Sequence, residues 1–146
     1  MEKKPATNLK AAIIDMDPMV SKICEVLVKQ NGYDATSFAT SQLDIRHIKL
    51  CAKNLMIFNV DILEDKDLYA TRMKMFRELL RCDELSHAKI IITSSTPEDP
   101  KVKSLISVNK LDSLIKIPID AMEFTQILIE LKKSDPKRTV WRSSWK

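Results

Sequence analysis

Glycine is almost missing from this chain: Gly32 is the only one in 146 residues. A phosphate cradle of the Gly-rich kind needs several backbone positions without a Cβ, so no nucleotide site of that design is expected. Cysteine is scarce as well. Cys24, Cys51 and Cys82 are odd in number, far apart and without a C-x-x-C spacing. That argues against a zinc site or disulfide framework and for three reduced, mostly buried thiols. No apolar run approaches the about 18 residues of a membrane span, and the first residues lack the apolar stretch of a signal peptide. The expected location is the cytoplasm. His47 and His87 are the only histidines. Neither has a Cys or acidic partner at ligand spacing, and neither stands at a readable distance from Ser94, Ser95 or Thr96. Both are expected as exposed helix or loop residues, and no enzyme is expected.

What is present is ordinary globular material, with 45% hydrophobic and 30% charged residues. The length suits one domain, and a chain of this size buries about 68–70% of its unfolded surface. The net charge of +4, from 24 Lys and Arg against 20 Asp and Glu, is too small to demand a nucleic-acid partner. Much of it lies near the end, in Lys132, Lys133, Lys137, Arg138, Arg142 and Lys146.

Short apolar runs alternate with amphipathic stretches. Residues 10–15, 33–38, 55–58, 88–93 and 114–117 read as strands, and the third is apolar at every position, as suits a central parallel strand covered on both faces. Pro18 opens a first helix through Val20, Ile23, Cys24 and Leu27, and Asn31-Gly32 closes it with a left-handed cap. Ser41 is expected to cap a second helix carrying Leu43, Ile45, Ile48 and Leu50. A third runs through Met73, Phe76, Leu79 and Leu80, where Met73 and Met75 read as packing residues. Thr96 is expected to cap the fourth, with Pro97 in its first turn and Pro100 early enough to be tolerated. Asp120 and Glu123 resemble a capping box before a fifth helix with Phe124, Ile127, Leu128 and Leu131. Five strands alternating with five helices imply an α/β fold with a parallel sheet and helices on both faces. Ligand chemistry in such sheets gathers at the carboxyl ends of the strands. Those ends carry Asp15 and Asp17, Asn59 and Asp61, Thr93 and Ser94, and the segment Lys116-Ile117-Pro118.

The order of elements, together with Ile13-Ile14-Asp15-Met16-Asp17-Pro18, Asn31-Gly32-Tyr33, Leu55-Met56-Ile57-Phe58-Asn59, Ile90-Ile91-Ile92-Thr93-Ser94 and Ile115-Lys116-Ile117-Pro118, resembles a response-regulator receiver domain over about residues 9–133. The resemblance implies a doubly wound, flavodoxin-like sheet in the order 2-1-3-4-5. It also implies a chemistry: an Asp after strand three takes a phosphoryl group, acids after strand one help hold Mg²⁺, and a Thr or Ser after strand four and a Lys after strand five contact the phosphoryl oxygens.

Measured against that pattern, three parts are missing. The acceptor position falls on Asn59, whose amide cannot replace a nucleophilic carboxylate. The second acid falls on Met16, a thioether poorly suited to a hard cation. The Lys position falls on Ile117, with Lys116 one place early and therefore on the opposite side of the strand. Leu114 stands where the family has an aromatic residue. Asp15, Asp17, Thr93 and Ser94 remain. The expectation is a degenerate receiver that signals through protein contact, with no Asp phosphorylation and no cofactor. Its alternative is a phosphorelay receiver using Asp61 as acceptor, with Asp15 and Asp61 as weak Mg²⁺ ligands. Otherwise Asp61 reads as an exposed loop acid or a cap of the following helix, and residues 64–67 as a solvated loop with at most a weak cation site beside Asp15.

The resemblance also implies docking through the fourth helix, fifth strand and fifth helix. Lys101, Lys103, Lys110 and Lys116 would make that side basic, with Leu114 among them, which suits an acidic signalling partner or a homodimer. Residues 1–8 read as an extension and residues 134–146 as a basic tail. Both tryptophans, Trp141 and Trp145, lie in that tail four residues apart, on one face if it becomes helical. The tail is either a loose or folded-back terminus or a docking peptide for a protein partner. A third reading is contact with nucleic acid or anionic membrane.

Overall fold

A five-residue strand buried at every position, β3 (Leu55–Asn59), needs cover on both faces and partners on both edges. It has them. The computed structural model describes residues 9–39, 44–109 and 111–133. Around β3 lie β1 (Leu9–Ile14), β2 (Tyr33–Phe38), β4 (Lys89–Ser94) and β5 (Ser113–Lys116), all parallel, in the order β2-β1-β3-β4-β5. The helices are α1 (Pro18–Gln30), α2 (Ile45–Cys51), α3 (Lys66–Leu80), α4 (Pro100–Asn109) and α5 (Ala121–Lys133), with a 3₁₀ turn at Asp83–Leu85. The expected sheet order is the one observed.

Strand side chains alternate between faces, and this divides the core in two. Ile14, Met56, Phe58, Ile90 and Ile92 pack with Ile48, Phe76 and Val102 of α2, α3 and α4. Ala11, Ile13, Leu55, Ile57 and Ile91 pack with Cys24, Val28, Phe124 and Leu128 of α1 and α5. Met73 and Met75 join the first cluster as packing residues. All three cysteines are free thiols. Only Cys24 is buried, where loss of hydration pushes its pKa up to about 12, with a further push from the Asp15 charge. Cys51 and Cys82 are half-buried, so the thiols are less enclosed than their composition suggested.

Several boundaries differ from the sequence reading, each for a local reason. α4 starts at Pro100 rather than Pro97. A residue before proline is held out of helical geometry, and proline fits the first helical position. Asp99 therefore stays outside the helix, its Oδ1 accepting from Lys101 N at 2.8 Å, while Thr96 belongs to the preceding turn through Asp99 N to Thr96 O at 3.0 Å. α2 is capped by Asp44, whose Oδ1 accepts from Arg46 N at 3.0 Å. Leu50 is 62% exposed, since it cannot share a face with buried Ile48 only two residues away on a helix. Ile23 is likewise 40% exposed, beside the buried stripe of Ser21, Cys24, Leu27 and Val28. Gly32 takes the positive φ of +94° that follows α1. His47 is exposed and sits edge-on to Phe38, with ring centroids 5.1 Å apart, and His87 is exposed. Ser41, Leu43, Lys110, Trp141 and Trp145 lie outside the described residues, as do 1–8 and 134–146.

Candidate functional site

In a parallel sheet every strand delivers its carboxyl end to the same edge. Here that edge gathers Asp15 to Asp17 after β1, Asn59 and Asp61 after β3, Ser94 and Ser95 after β4, and Ile117 after β5. Asp15, Met16, Asn59, Asp61 and Ile117 line one open cavity of about 280 Å³.

Asn59 is the last residue of β3, paired in register with Thr93 and 5% exposed. Its Nδ2 donates to Thr93 Oγ1 at 3.2 Å, Thr93 O at 3.4 Å and Asp61 Oδ2 at 3.3 Å. Its Oδ1 accepts from Asp61 N at 3.1 Å and Arg72 Nη2 at 3.5 Å. Both ends of the amide are used, so the buried polar group is satisfied. Thr93 and Ser94 are themselves buried and do not line the cavity.

Asp61 is neither a free loop acid nor the cap of α3. That cap is Asp65, whose Oδ1 accepts from Leu68 N at 3.0 Å. Asp61 instead ties two loops together. Its Oδ1 accepts from Ser94 Oγ at 2.9 Å, Ser95 N at 2.7 Å and Ser95 Oγ at 3.2 Å. Ser94 Oγ in turn accepts from Thr96 N at 2.9 Å, which carries the contact into the approach to α4.

Arg72 was not foreseen. It reaches the cavity from the second turn of α3 and is only 3% exposed. Its Nη2 donates to Asn59 Oδ1 and to the main-chain oxygen of Asp61, while Nε has no partner among the described residues. Burial lowers its pKa, and the Asp15 and Asp61 charges oppose that shift. A signal existed. Residues 72, 76 and 79 follow helical spacing, so an arginine stood on the apolar stripe of the third helix. A charge on a buried stripe needs a counter-charge across the fold.

The remaining candidates fall in different places. Asp15 is 8% exposed and accepts from Asp17 N at 2.8 Å. Asp17 caps α1, its Oδ1 accepting from Met19 N at 2.9 Å and Val20 N at 3.5 Å. Met16 is 42% exposed. Lys116, named with Ile117 at the end of the fifth strand, is exposed and does not line the cavity, whereas Ile117 lines it, because successive strand residues face opposite sides. Among the described residues no group of three or more His, Cys, Asp or Glu is placed to hold a metal ion.

Burial is the largest cause of a raised Asp15 pKa. The hydrogen bond from Asp17 N opposes it, the Asp17 charge adds to it, Arg72 opposes it and Asp61 adds to it. A carboxyl group that binds its proton more tightly when folded stabilises the fold below its unfolded pKa, and that contribution is lost as pH rises through the folded value. Asp15→Asn removes this component. Its stability relative to the parent chain is expected to increase from the ordinary carboxylate range toward neutral pH and then level off. Urea unfolding midpoints of both chains across that range check the sign; a flat difference would refute it.

No family profile matches the sequence, and no characterised protein matches it in sequence. Solved structures do match in shape. The signal receiver domain of a LuxO repressor protein from Vibrio parahaemolyticus superposes with a TM-score of 0.66 at 12% identity, covering 94% of this chain and 96% of that one. A response regulator protein from Burkholderia multivorans gives 0.64 at 13% identity, with 87% and 98% covered. A response regulator receiver domain from Methylobacillus flagellatus gives 0.63 at 12%, with 86% and 99% covered. The chain has the receiver fold. At these identities the receiver likeness is one of architecture, and the cavity residues must be judged by their own chemistry.

Proposed function

We propose that this receiver-fold protein acts in two-component signal transduction through contact with another protein, without phosphoryl transfer to an aspartate and without catalysing a reaction. One observation carries the reading. The end of β3 presents an amide, Asn59, whose nitrogen is engaged by Thr93 and Asp61. An amide cannot act as the nucleophile in phosphoryl transfer. The apolar Ile117 at the cavity wall, with Lys116 turned to solvent, also removes the ammonium that would steady transferred oxygens.

A switch of this kind responds only to a partner with different affinity for two of its conformations. The docking face in this reading is α4, β5 and α5, where Lys101, Lys103 and Lys116 are exposed beside half-buried Leu114. That face suits an acidic protein surface, on a signalling partner or on a second copy of this chain. No described helix is long and apolar enough to cross a membrane, and the reading places the protein's work in the cytoplasm. The basic tail, as a protein-docking peptide or as a contact for nucleic acid or membrane, belongs to residues outside the described ones.

Asp61 supports the runner-up, because it is the carboxylate beside Asn59 in the same cavity. In that reading it would accept the phosphoryl group. Its Oδ1 already accepts three hydrogen bonds, which weakens it as a nucleophile. Incubation with acetyl phosphate and Mg²⁺, followed by intact-mass measurement, separates the two. The expected spectrum shows no added phosphoryl group. An adduct that disappears in Asp61→Ala would establish the phosphorelay reading instead.

A further inference from the structure

The Mg²⁺ expected of a phosphorylating receiver meets oxygens that Arg72 already holds. A hard divalent ion takes oxygens, and Mg²⁺ demands them at about 2.0–2.1 Å in near-octahedral array. Asn59 and Asp61 line the cavity together with Asp15, and two of their oxygens matter here, Asn59 Oδ1 and the main-chain oxygen of Asp61. Both already accept from Arg72 Nη2. The third donor that a second acid would supply is the thioether of Met16.

We infer that Arg72 is a resident cation that occupies the place of a divalent metal, so that the negative charge of the cavity is partly offset from within and Mg²⁺ does not bind. A guanidinium is always charged and planar, and it donates to several oxygens at once. Tethered to α3, it has no association step and no concentration dependence. It is buried to 3% exposure, so it keeps its charge against the counter-charges of Asp15 and Asp61 rather than against bulk water. A divalent ion on the same oxygens would stand against a fixed positive group in a poorly screened site. Either the arginine leaves or the metal stays out. Among the described residues Nε has no hydrogen-bond partner, so Arg72 is bonded to the cavity through Nη2. The consequence is a pocket whose state is independent of cellular Mg²⁺. The inference concerns the cation alone and stands apart from whether Asp61 can accept phosphate.

Paramagnetic Mn²⁺, titrated into the full chain while backbone amide resonances are followed, tests this directly. In the parent protein, broadening at Asp15, Asn59 and Asp61 is expected to be no greater than at exposed surface acids such as Glu98, and not to saturate. In Arg72→Ala the same three amides are expected to broaden saturably, at Mn²⁺ concentrations lower by roughly tenfold or more, because the oxygens lose their cation. Arg72→Lys keeps a charge there and is expected to stay silent. Saturable broadening of the three amides in the parent chain overturns the inference. So does a folded Arg72→Ala that remains silent. If Arg72→Ala does not fold in metal-free buffer, added Mg²⁺ is expected to restore its amide dispersion, and failure to do so also counts against the inference.

Discussion

Phe76→Ala is expected to lose about 3–5 kcal/mol of folding stability, the usual cost of truncating a fully buried aromatic ring. Phe76 is fully buried, and its ring centroid lies 4.7 Å from that of Phe58 at an interplanar angle of 47°. Around them sit Met56, Leu79 and Ile90, which are also fully enclosed. Close-packed neighbours relax only partly into a void of this size, so the cavity term adds to the lost transfer energy. The pair also fastens α3 to β3, and these two elements carry Arg72 and Asn59. The loss should appear in urea unfolding as a lower midpoint with an unchanged slope. Truncating both rings should cost less than the sum of the single changes, by about 0.5–1.5 kcal/mol for the direct aromatic contact. A loss below about 1 kcal/mol for Phe76→Ala would mean the helix is not anchored at this point.

The second large effect concerns the site and runs against intuition. Asn59→Asp places the family's acceptor type at the end of β3, yet it is expected to destabilise the fold by about 1.5–3 kcal/mol at neutral pH, the range for hydrogen bonds to charged groups. The amide nitrogen now donates to Asp61 Oδ2 at 3.3 Å, Thr93 Oγ1 at 3.2 Å and Thr93 O at 3.4 Å. A carboxylate oxygen in its place would face the Asp61 carboxylate and a carbonyl, and only the Thr93 hydroxyl can turn to donate. Two carboxylates this close cannot both ionise without cost, although Arg72 offsets part of it. Their mutual repulsion raises the pKa of the pair. The penalty is therefore full at neutral pH and is relieved as the pH falls and one carboxyl group takes up a proton. Urea midpoints of the variant and the parent, compared at neutral and acidic pH, read this out. Equal stability at neutral pH, or a penalty that grows on acidification, would contradict it.

Much of the architecture is local in origin and so was legible in the chain. The apolar run at Leu55–Phe58 announces a central strand, and the spacing of Cys24 and Leu27 and of Phe124, Leu128 and Leu131 announces two helices that cover one face. Errors clustered where two local signals compete. Pro97 and Pro100 both offer a first helical position, and the choice between them depends on how the turn after β4 closes. Ser41 and Asp44 both offer a capping oxygen, and α2 is capped by the later one. The identity of Asn59 at the end of β3 was readable because an unbroken run of apolar residues leads directly to it.

Periodicity and residue type were enough for the succession of strands and helices along the chain and for which side chains stand at each strand end, because each depends on neighbours within a turn or a strand; the sheet order and the comparison of Asn59 with an acceptor position rested on the resemblance to receivers. Tertiary structure alone decided that Arg72 enters the cavity and bonds to Asn59, 13 residues away, and that Asp61 clamps Ser94 and Ser95, 33 and 34 residues on. Those contacts join side chains across separate elements. Their formation depends on which buried charges can find compensation once the sheet has closed, and no local repeat in a sequence encodes that.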